Sequence, residues 1–319
     1  MTFNDYMPKG SVSNKHMLTL MDYSTEEIWE ILKCAIELKK KQYAHEPHEY
    51  LRGKTLAMIF AKSSTRTRIS FEQGFRQLGG TPIFLSTNDI QLGRGEPIKD
   101  TVRVLERMNI DGIMIRTFKQ SDLEELAQYG HIPIINGLTD DFHPCQVLAD
   151  LLTVYEEFGT FEGKKLVFFG EGFNMANSLM LGCAKVGMDV CVCAPVGHQP
   201  DPRIVEAARK GAFAGAKVTV TDDPEEAIKG ANAVYTDVFF SMGQARDPEK
   251  EAALMPLQVN EAMMKKAAPG AIFLHCLPAH RGEEVTDEVM RAPYSVIYDE
   301  AGNRLHAQKA VMSLLMGVP

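Results

Sequence analysis

The segment Lys62–Arg68 carries several anion-binding side chains and reads Lys-Ser-Ser-Thr-Arg-Thr-Arg. It lies between an apolar run that ends at Phe60 and a predicted helix, and its first acidic neighbour is Glu72. Hydroxyl groups, cations and the free N–H groups of a helix N-terminus together favour phosphate binding. Because Arg66 and Arg68 are two positions apart, a helix points them about 200° apart. We therefore expect one to bind the anion and the other to contact the protein or a neighbouring subunit. An ordinary Ser/Thr helix cap with solvated arginines is the alternative interpretation.

A histidine at a predicted helix entry is the second candidate. His143 precedes Pro144, and a proline at the first position of a helix fixes where that helix starts. A neutral imidazole at this place can donate a hydrogen bond to a carbonyl oxygen. A histidine that only caps the helix is the alternative interpretation.

A glycine-rich turn at 170–175 follows an apolar run and reads Gly-Glu-Gly-Phe-Asn-Met. It begins like the dinucleotide-binding fingerprint G-x-G-x-x-G but has Met175 in place of the third glycine. The next strand ends without an acid that could hold a ribose, so a nicotinamide dehydrogenase is disfavoured. The turn still places Asn174 at the carboxyl end of a strand, where α/β proteins bind ligands.

Two further strand ends carry polar groups. Asp237, followed by the Ser-Met-Gly turn at 241–243, can bracket a zwitterion, because the carboxylate pairs with an ammonium while the turn binds a carboxylate. His275 and Cys276 adjoin at another strand end, but neighbouring residues of a strand face opposite ways. The sequence therefore argues against a Cys–His nucleophile pair and against cysteine hydrolase chemistry.

Alternating strands and helices are predicted to position these segments. Most predicted strands are rich in Val, Ile, Leu and Phe on both faces, as in parallel strands covered by helices on both sides. The pattern predicts an α/β fold with right-handed crossovers. The predicted strands are Thr55–Phe60, Thr81–Leu85, Gly112–Arg116, Ile132–Asn136, Lys165–Gly170, Asp189–Ala194, Lys217–Thr221, Ala233–Val238, Ala271–Cys276 and Ser295–Tyr298. Predicted helices include Thr65–Leu78, Ser121–Gly130, Pro144–Phe158, Pro224–Lys229 and Asn303–Met316.

Length and charge limit the possible classes of protein. The chain has 319 residues, of which 45% are hydrophobic and 24% charged, as in a globular protein of about two domains. Lys and Arg number 34 against 42 Asp and Glu, and the net charge of −8 argues against a general binder of nucleic acid or anionic membranes. We expect a first domain at 1–150, with the C-terminal helix 303–319 packing back on it, and a second domain at 151–302.

The cysteines and the N-terminal sequence indicate a compartment. No apolar run reaches the roughly 18 residues of a membrane span, and the first residues lack a signal-peptide pattern. Six cysteines in a long acidic chain predict reduced thiols rather than a disulfide scaffold. A zinc site at Cys191 and Cys193 is disfavoured, because no histidine stands at metal-site spacing from them. We expect a cytoplasmic protein.

Three of these segments, in this order and at these separations, resemble the carbamoyltransferase family: Ser64–Arg68, His143–Gln146 and His275–Pro278. The resemblance extends from about Met17 to the C-terminus, and Asp237 with the Ser-Met-Gly turn is similar to the members that act on ornithine. It implies two doubly wound parallel-sheet domains, with the active site in the cleft between them. The first would bind carbamoyl phosphate and the second L-ornithine. The implied reaction gives L-citrulline and phosphate, in arginine biosynthesis or, in reverse, in arginine degradation.

The resemblance also implies roles for individual residues. Carbamoyl phosphate is expected to contact Ser64, Thr65, Arg66, Thr67, Gln91, Arg116, His143, Gln146, Cys276, Leu277 and Arg304. Among these, the catalytic residues are expected to be Arg66, Arg116, His143 and Cys276. Ornithine is expected to contact Asn174, Asp237, Ser241 and Met242. Family members are homotrimers, sometimes assembled further, and Gln91 is expected to reach a neighbouring subunit's site. No metal and no organic cofactor is implied.

The sequence departs from the family pattern at two places. The family usually reads Gly-Asp-Gly-Asn-Asn where this chain has Gly-Glu-Gly-Phe-Asn at 170–174, and it usually has tryptophan where Phe239 stands. Asn174 keeps the second asparagine, so ornithine remains the expected acceptor, and the Ser-Met-Gly turn argues against a diamine such as putrescine. Another amine acceptor is the alternative. A non-catalytic assembly or regulatory subunit is disfavoured, because the arginines at 66, 116 and 304 are all present.

Overall fold

The computed structural model describes residues 1–240 and 244–317 of the chain. The chain folds into two compact units. The first unit comprises Met1, Asp5–Leu152 and Asn303–Pro319, and the second comprises Thr2–Asn4 and Thr153–Gly302.

The first unit is built on a four-stranded sheet. Its strands are β1 (Thr55–Phe60), β2 (Thr81–Ser86), β3 (Gly112–Arg116) and β4 (Ile134–Leu138). They lie in the order β2-β1-β3-β4, and each neighbouring pair is parallel. The helices are α1 (Thr25–Tyr43), α2 (Thr65–Gln77), α3 (Ile98–Arg107), α4 (Gln120–Tyr129), most of α5 (Pro144–Phe158) and most of α12 (Ile297–Met316).

The second unit is built on a five-stranded sheet. Its strands are β5 (Lys165–Phe169), β6 (Asp189–Cys193), β7 (Val218–Thr221), β8 (Ala233–Thr236) and β9 (Ile272–His275). They lie in the order β7-β6-β5-β8-β9, and all neighbours are parallel. The helices are α6 (Asn174–Val186), α7 (Pro202–Lys210), α8 (Pro224–Ile228), α9 (Pro248–Leu254), α10 (Glu261–Met264) and α11 (Asp287–Arg291).

Each sheet is covered by apolar side chains that form the core of its own unit. In the first unit, Ile59, Ile113 and Ile115 pack against Val102 of α3 and Leu123 of α4. In the second unit, strand residues pack against the helices α8, α9 and α11. Both faces of the central strands are buried, which explains why these strands have continuous apolar sequences. The predicted α/β class with two parallel-sheet domains is confirmed.

The parallel arrangement decides where the polar segments lie. The carboxyl ends of β1, β3 and β4 share one edge of the first sheet, and the residues that follow or end them are 61–68, Arg116 and 139–143. The carboxyl ends of β5, β8 and β9 share one edge of the second sheet, followed by 170–174, Asp237 and Cys276. In each unit, the loops that carry these polar residues thus lie at a single sheet edge, which is where open α/β sheets bind ligands.

The last predicted strand, Ser295–Tyr298, is wrong. Ser295 forms only an isolated bridge with Phe273, and α12 begins at Ile297, six positions before the expected start at Asn303. A short apolar run cannot by itself distinguish a strand from a buried helix, and here Asp299 and Glu300 give the helix an acidic first turn. The predicted strand Ile132–Asn136 lies two residues further along, at β4. In the described ranges, no helix is both long enough and apolar enough to span a bilayer.

Candidate active site

The segment Lys62–Arg68 forms the N-terminus of α2. Ser64 is the N-cap residue, and its Oγ accepts a hydrogen bond from the Thr67 backbone N–H at 3.2 Å and lies 3.1 Å from Thr67 Oγ1. The first turn contains no acidic residue. The serine cap of the alternative interpretation is therefore present, and it leaves the positive end of the helix available to an anion.

The two arginines of this segment have different surroundings, as their spacing predicts. The Arg68 guanidinium lies 3.8 Å from the centre of the Phe84 ring, and its Nε is 3.5 Å from Glu72 Oε2. The charge of Arg66 instead acts on the buried imidazole of His143. Arg66 is therefore the arginine of α2 that belongs to the candidate site.

Arg304 of α12 connects three elements of the first unit. Its Nη1 donates to Gln146 Oε1 at 2.5 Å, and its Nη2 donates to Thr67 Oγ1 at 3.3 Å. Gln146 in turn donates through Nε2 to Asp150 Oδ1 at 2.8 Å. With the Gln308 amide oxygen facing Arg304, that oxygen accepts from Nε at 2.9 Å and from Nη2 at 2.8 Å. The side chain of Arg304 is thus held in one orientation.

Asp150 and Gln308 are members of this network that the sequence analysis missed. Asp150 lies four positions after Gln146 on α5, and Gln308 lies four positions after Arg304 on α12. Positions four apart are neighbours on a helix, so helical spacing from the predicted residues would have indicated both.

His143 lies buried at the entry to α5, which begins at Pro144 as predicted. Burial, together with the positive charges of Arg304, Arg116 and Arg66, holds the pKa of His143 well below its ordinary value. Desolvation and neighbouring cations both disfavour the imidazolium. The imidazole is therefore neutral near pH 7, the form predicted for a donor to a carbonyl oxygen.

Two more cations of the first unit lie at the same sheet edge. Arg116 ends β3 and is buried. Lys62, which follows β1, is 2.5 Å from Asp140 Oδ1 and lies 4.2 Å from the centre of the Phe118 ring. Since Lys62 is paired with a carboxylate, Arg66, Arg116 and Arg304 supply the net positive potential around His143.

Gln91 lies apart from these residues. It begins a short 3-10 helix, Gln91–Arg94, and its side chain is exposed. No hydrogen bond or ion pair found among residues 1–240 and 244–317 links its side chain to the cluster around Arg304. Its expected contact with a neighbouring subunit's site stays a prediction.

In the second unit, the thiol of Cys276 contacts Asp237. Cys276 Sγ donates to Asp237 Oδ1 at 3.0 Å, and the backbone N–H of Val238 donates to the same oxygen at 2.8 Å. Asp237 follows β8 and Cys276 follows β9, so the contact joins the ends of two adjacent strands. Two donors hold the Asp237 carboxylate in place at the sheet edge, where it can face a substrate ammonium.

His275 faces away from Cys276, as strand geometry predicts. Its Nδ1 accepts from the Leu277 backbone N–H at 2.9 Å, which leaves the ring proton on Nε2, and Nε2 lies 3.0 Å from Glu284 Oε1. The His275 and Glu284 side chains are completely buried. Because His275 is paired with Glu284, it does not serve as a base for the Cys276 thiol.

The glycine-rich turn has a packing reason for its glycines. A Cβ on Gly172 would lie 2.1 Å from the backbone nitrogen of Pro200, and the Gly172 N–H donates to the His198 carbonyl at 2.7 Å. Gly170 has a φ of +151°, which favours glycine. These glycines are therefore explained without a pyrophosphate. Asn174 is the first residue of α6 and is buried at the end of the turn.

The remaining predicted ornithine contacts, Ser241 and Met242, lie outside the described residues. The two departures from the family pattern are both described. Phe173 is the N-cap residue of α6 and makes no side-chain capping hydrogen bond. Phe239 is 1% exposed and packs in the core of the second unit with Phe169 and Leu254. The phenylalanine that replaces the family's usual tryptophan at 239 is therefore a core side chain.

Two groups of side chains in the second unit have metal-ligand atoms within 4.8 Å of one another: Asp237, His275 and Cys276, and His280, Glu283 and Glu284. In these groups, the Cys276 thiol is hydrogen-bonded to Asp237, and the His275 ring is hydrogen-bonded to Glu284. A cation in either group would therefore compete with hydrogen bonds that already orient the side chains.

Comparison with protein families matches both parts of the chain. Residues 15–156 match the carbamoyl-phosphate-binding domain of the aspartate/ornithine carbamoyltransferases. Residues 162–315 match the aspartate/ornithine-binding domain of the same family.

Individual relatives cover nearly the whole chain. An ornithine carbamoyltransferase of Anoxybacillus flavithermus is 55% identical over 307 residues, 96% of this chain and 98% of its own length. The solved structure of the ornithine carbamoyltransferase of Pyrococcus furiosus superposes with a TM-score of 0.93 at 49% identity, over 97% of this chain and 99% of that one. An anabolic ornithine carbamoyltransferase structure from Campylobacter jejuni gives 0.88 at 42% identity, over 95% and 99% of the two chains.

Proposed function

The chain belongs to the aspartate/ornithine carbamoyltransferase family, and we propose that the residues described above carry out its reaction. The enzyme transfers the carbamoyl group of carbamoyl phosphate to the side-chain amine of L-ornithine, which gives L-citrulline and phosphate. The observation that carries the assignment of roles is the network of Arg304, Gln146 and Thr67 beside a neutral His143.

We assign carbamoyl phosphate to the first unit. Its phosphate binds at the N-terminus of α2, to the hydroxyl and backbone groups of 64–67 and to the guanidinium groups of Arg66 and Arg116. The absence of acid in the first turn of α2 and the serine cap support this assignment. Gln91 of a neighbouring subunit adds a contact to the same phosphate site.

The carbamoyl group lies against His143, Gln146 and Arg304. The neutral imidazole and the guanidinium are donors for the carbonyl oxygen, and Gln146 is held by Arg304 on one side and Asp150 on the other. Donors that are fixed before the substrate arrives need not reorganise when charge develops on that oxygen. Cys276 and Leu277 complete the carbamoyl contacts.

We assign ornithine to the second unit. The Asp237 carboxylate, held by Cys276 and the Val238 N–H, faces the α-ammonium, and Asn174 binds beside it. Ser241 and Met242 bind the α-carboxylate, as the family resemblance implies. This division leaves the side-chain amine as the nucleophile.

The amine must lose a proton before it can attack. A free alkyl amine titrates near pH 10.4, so at pH 7.4 about three pH units, roughly 4 kcal/mol, separate it from its nucleophilic form. The arginines that bind carbamoyl phosphate disfavour an ammonium nearby and so reduce this cost. Attack forms the bond from nitrogen to the carbamoyl carbon, and the carbon–oxygen bond to phosphate then breaks.

The tetrahedral intermediate carries negative charge on the former carbonyl oxygen. Arg116, His143 and Thr67 are the donors proposed for it, and loss of one such donor typically lowers the rate about 10²–10³-fold. Arg66 stabilises the departing phosphate. The phosphate, whose upper pKa is near neutrality, takes the proton of the amine, so no dedicated side-chain base is required.

We further propose a cytoplasmic homotrimer or higher homo-oligomer that works in arginine biosynthesis. The anabolic names of relatives from Pyrococcus furiosus and Campylobacter jejuni support the biosynthetic direction. Light scattering should give a mass of at least about three times the 35.5 kDa of one chain. A monomer at assay concentration would contradict the assembly. Comparison of kcat/KM for citrulline formation and for citrulline phosphorolysis tests the direction.

The reaction itself is tested by citrulline formation from carbamoyl phosphate with L-ornithine, beside putrescine, N-acetylornithine and L-aspartate. Turnover with ornithine alone is expected. Turnover with a different amine would keep the roles in the first unit and reassign those in the second, with Phe173 examined first. No turnover with any of the four amines would overturn the proposal.

A further inference from the structure

Lys250 of α9 connects two segments of the second unit. Its Nζ lies 2.6 Å from Glu171 Oε2, in the glycine-rich turn, and 3.1 Å from Gln244 Oε1. The other Glu171 oxygen, Oε1, is 3.5 Å from His198 Nδ1. The Lys250 side chain is only 11% exposed and that of Glu171 24% exposed. Partial burial reduces the screening of this ion pair by water and salt.

A second cation, Arg246, also lies near Phe240. The Phe240 ring has Lys250 Nζ at 5.2 Å and the Arg246 guanidinium at 5.6 Å from its centre. Arg246 is paired with Glu283, and its Nη1 is 3.4 Å from Glu251 Oε1. Phe240 thus lies near two cations, each of which is paired with a carboxylate.

These contacts connect the parts of the chain to which ornithine binding is assigned. Phe240 and Gln244 are the chain neighbours of positions 241–243, which include two of the assigned ornithine residues. Glu171 stands three positions before Asn174, and Glu283 belongs to the loop that follows Cys276 and Leu277. The ion pairs of Lys250 and Arg246 therefore connect the described residues beside positions 241–243 to the glycine-rich turn and to the loop after Leu277.

We propose that Glu171 and Lys250 are positioning residues that set the affinity for ornithine. This inference rests on the proposed function. The pair contacts the neighbours of the assigned ornithine residues, so its loss acts on ornithine binding and leaves carbamoyl phosphate binding intact.

The length of the Glu171 side chain allows its carboxylate to contact Lys250. The family resemblance places an aspartate here, and aspartate is shorter by one methylene, about 1.5 Å. An aspartate at 171 would not meet Lys250 at the observed distance without a shift of the turn or of α9. The longer side chain is thus a feature by which this chain connects the turn directly to α9.

The test compares Lys250→Met and Glu171→Gln with wild type. Methionine keeps an unbranched stem over Phe240, and glutamine keeps the size of glutamate, so each variant removes mainly the charge. Lys250→Arg and Glu171→Asp are the conservative variants. Lys266→Met is the matched control, because Lys266 is 2.5 Å from Glu225 in an exposed ion pair of the same unit.

We expect KM for ornithine to rise about five- to tenfold in Lys250→Met and Glu171→Gln. A tenfold loss of affinity corresponds to about 1.4 kcal/mol of binding free energy. KM for carbamoyl phosphate and kcat should stay within about twofold of wild type. Lys250→Arg should retain most of the wild-type affinity for ornithine, and Glu171→Asp should retain only part of it. Lys266→Met should have the same KM for ornithine as wild type.

Two results would overturn the inference. One is an ornithine KM in Lys250→Met and Glu171→Gln that equals that of Lys266→Met. The other is a joint deterioration of both KM values and kcat with a lower melting temperature, which would show a general structural role. Absence of wild-type turnover with ornithine would instead overturn the proposed function, so the two failures are distinguishable.

Discussion

Arg304 and Gln146 are 158 positions apart in the chain, yet Nη1 of the arginine donates to Oε1 of the glutamine at 2.5 Å. The same guanidinium reaches Thr67 at the N-terminus of α2. One side chain from α12 therefore sets the spacing between a helix entry and a helix cap, the two places to which carbamoyl phosphate binding is assigned.

Substitution of Arg304 by lysine is expected to lower kcat/KM for carbamoyl phosphate about 10²–10³-fold. A lysine has one compact charge and cannot bind Gln146 and Thr67 together as a planar guanidinium does. Initial rates with carbamoyl phosphate varied provide the measurement. Arg203→Lys is the control, because Arg203 is exposed and pairs only locally with Asp201. An Arg304→Lys enzyme as efficient as this control would contradict the assignment.

The contact between Asp237 and Cys276 predicts graded effects on ornithine. Asp237→Asn removes the charge opposite the ammonium, and we expect kcat/KM for ornithine to fall roughly ten- to a hundredfold. Cys276→Ser retains a donor to Asp237 and should lose less than Cys276→Val, which has none. Asp223→Asn, at the exposed N-cap of α8, is the control. Equal rates in Asp237→Asn and Asp223→Asn would show that the carboxylate does not bind ornithine.

The rate of citrulline formation is expected to rise with pH between about 6 and 9, by up to tenfold per unit on its lower limb, because the amine of ornithine must be neutral to attack. His143 should contribute no inflection near its ordinary value, since burial and three arginines keep its pKa well below that value. The profile of kcat/KM for ornithine measures both effects. A flat profile over this range would contradict the need for a neutral amine.

Acid should destabilise the folded chain below about pH 6.5. Burial and the neighbouring charges of Lys309, Lys39 and His48 lower the pKa of His306 to about 3. Between these two values the unfolded chain binds a proton that the folded chain does not, so the free energy of unfolding decreases as the pH falls, by up to about 1.4 kcal/mol per unit. The pKa values of His143 and His16 are also lowered by burial, so they act in the same direction.

Urea unfolding at about pH 7.5, 6.5 and 5.5 tests this dependence. The free energy of unfolding of His306→Gln should depend less steeply on pH than that of wild type, because the substitution removes one of the protons taken up on unfolding. His131→Gln is the control, since the ring of His131 is 89% exposed. Equal slopes in wild type and His306→Gln would contradict the role of His306.

Phe173→Asn is expected to raise the free energy of unfolding by about 0.5–1 kcal/mol. Phe173 caps α6 without a side-chain hydrogen bond, whereas asparagine accepts one from the first turn of a helix. Thermal and urea denaturation measure the gain, and Phe173→Ala, which removes the ring without adding a capping oxygen, separates capping from loss of the ring. A loss of stability in Phe173→Asn would show that the partly buried ring contributes more than a cap.

Much of the fold could be predicted because each central strand is apolar on both faces and is bounded by turn residues. β1 and β3 have the predicted bounds, and so does α5, whose start is marked by Pro144. Ser295–Tyr298 was predicted wrongly, because its apolar residues fit a strand and the first turn of a buried helix equally well. There the helix is selected by tertiary packing, which the local sequence pattern does not show.

The polar network around Arg304 shows what the sequence could not provide. Helical spacing places Asp150 near Gln146 and Gln308 near Arg304, but it does not show that these two pairs meet, which depends on α5 and α12 being neighbours in the first unit. In the same way, the pairing of Lys250 with Glu171 joins residues 79 positions apart, and no spacing rule connects them. Long-range partners of this kind become visible only once the topology is known.

The order in which the first unit is assembled has a consequence for synthesis on the ribosome. Its sheet is complete at β4, but Arg304 and the buried Ala307, Ala310 and Val311 of α12 are translated only after the whole second unit. α12 packs closely against α2 at Gly74, where a Cβ would lie 3.1 Å from Lys309 Cγ. A nascent chain that has finished the second unit therefore still exposes part of the first core and lacks Arg304. The core of the earlier-made unit is therefore completed only when α12 has been translated.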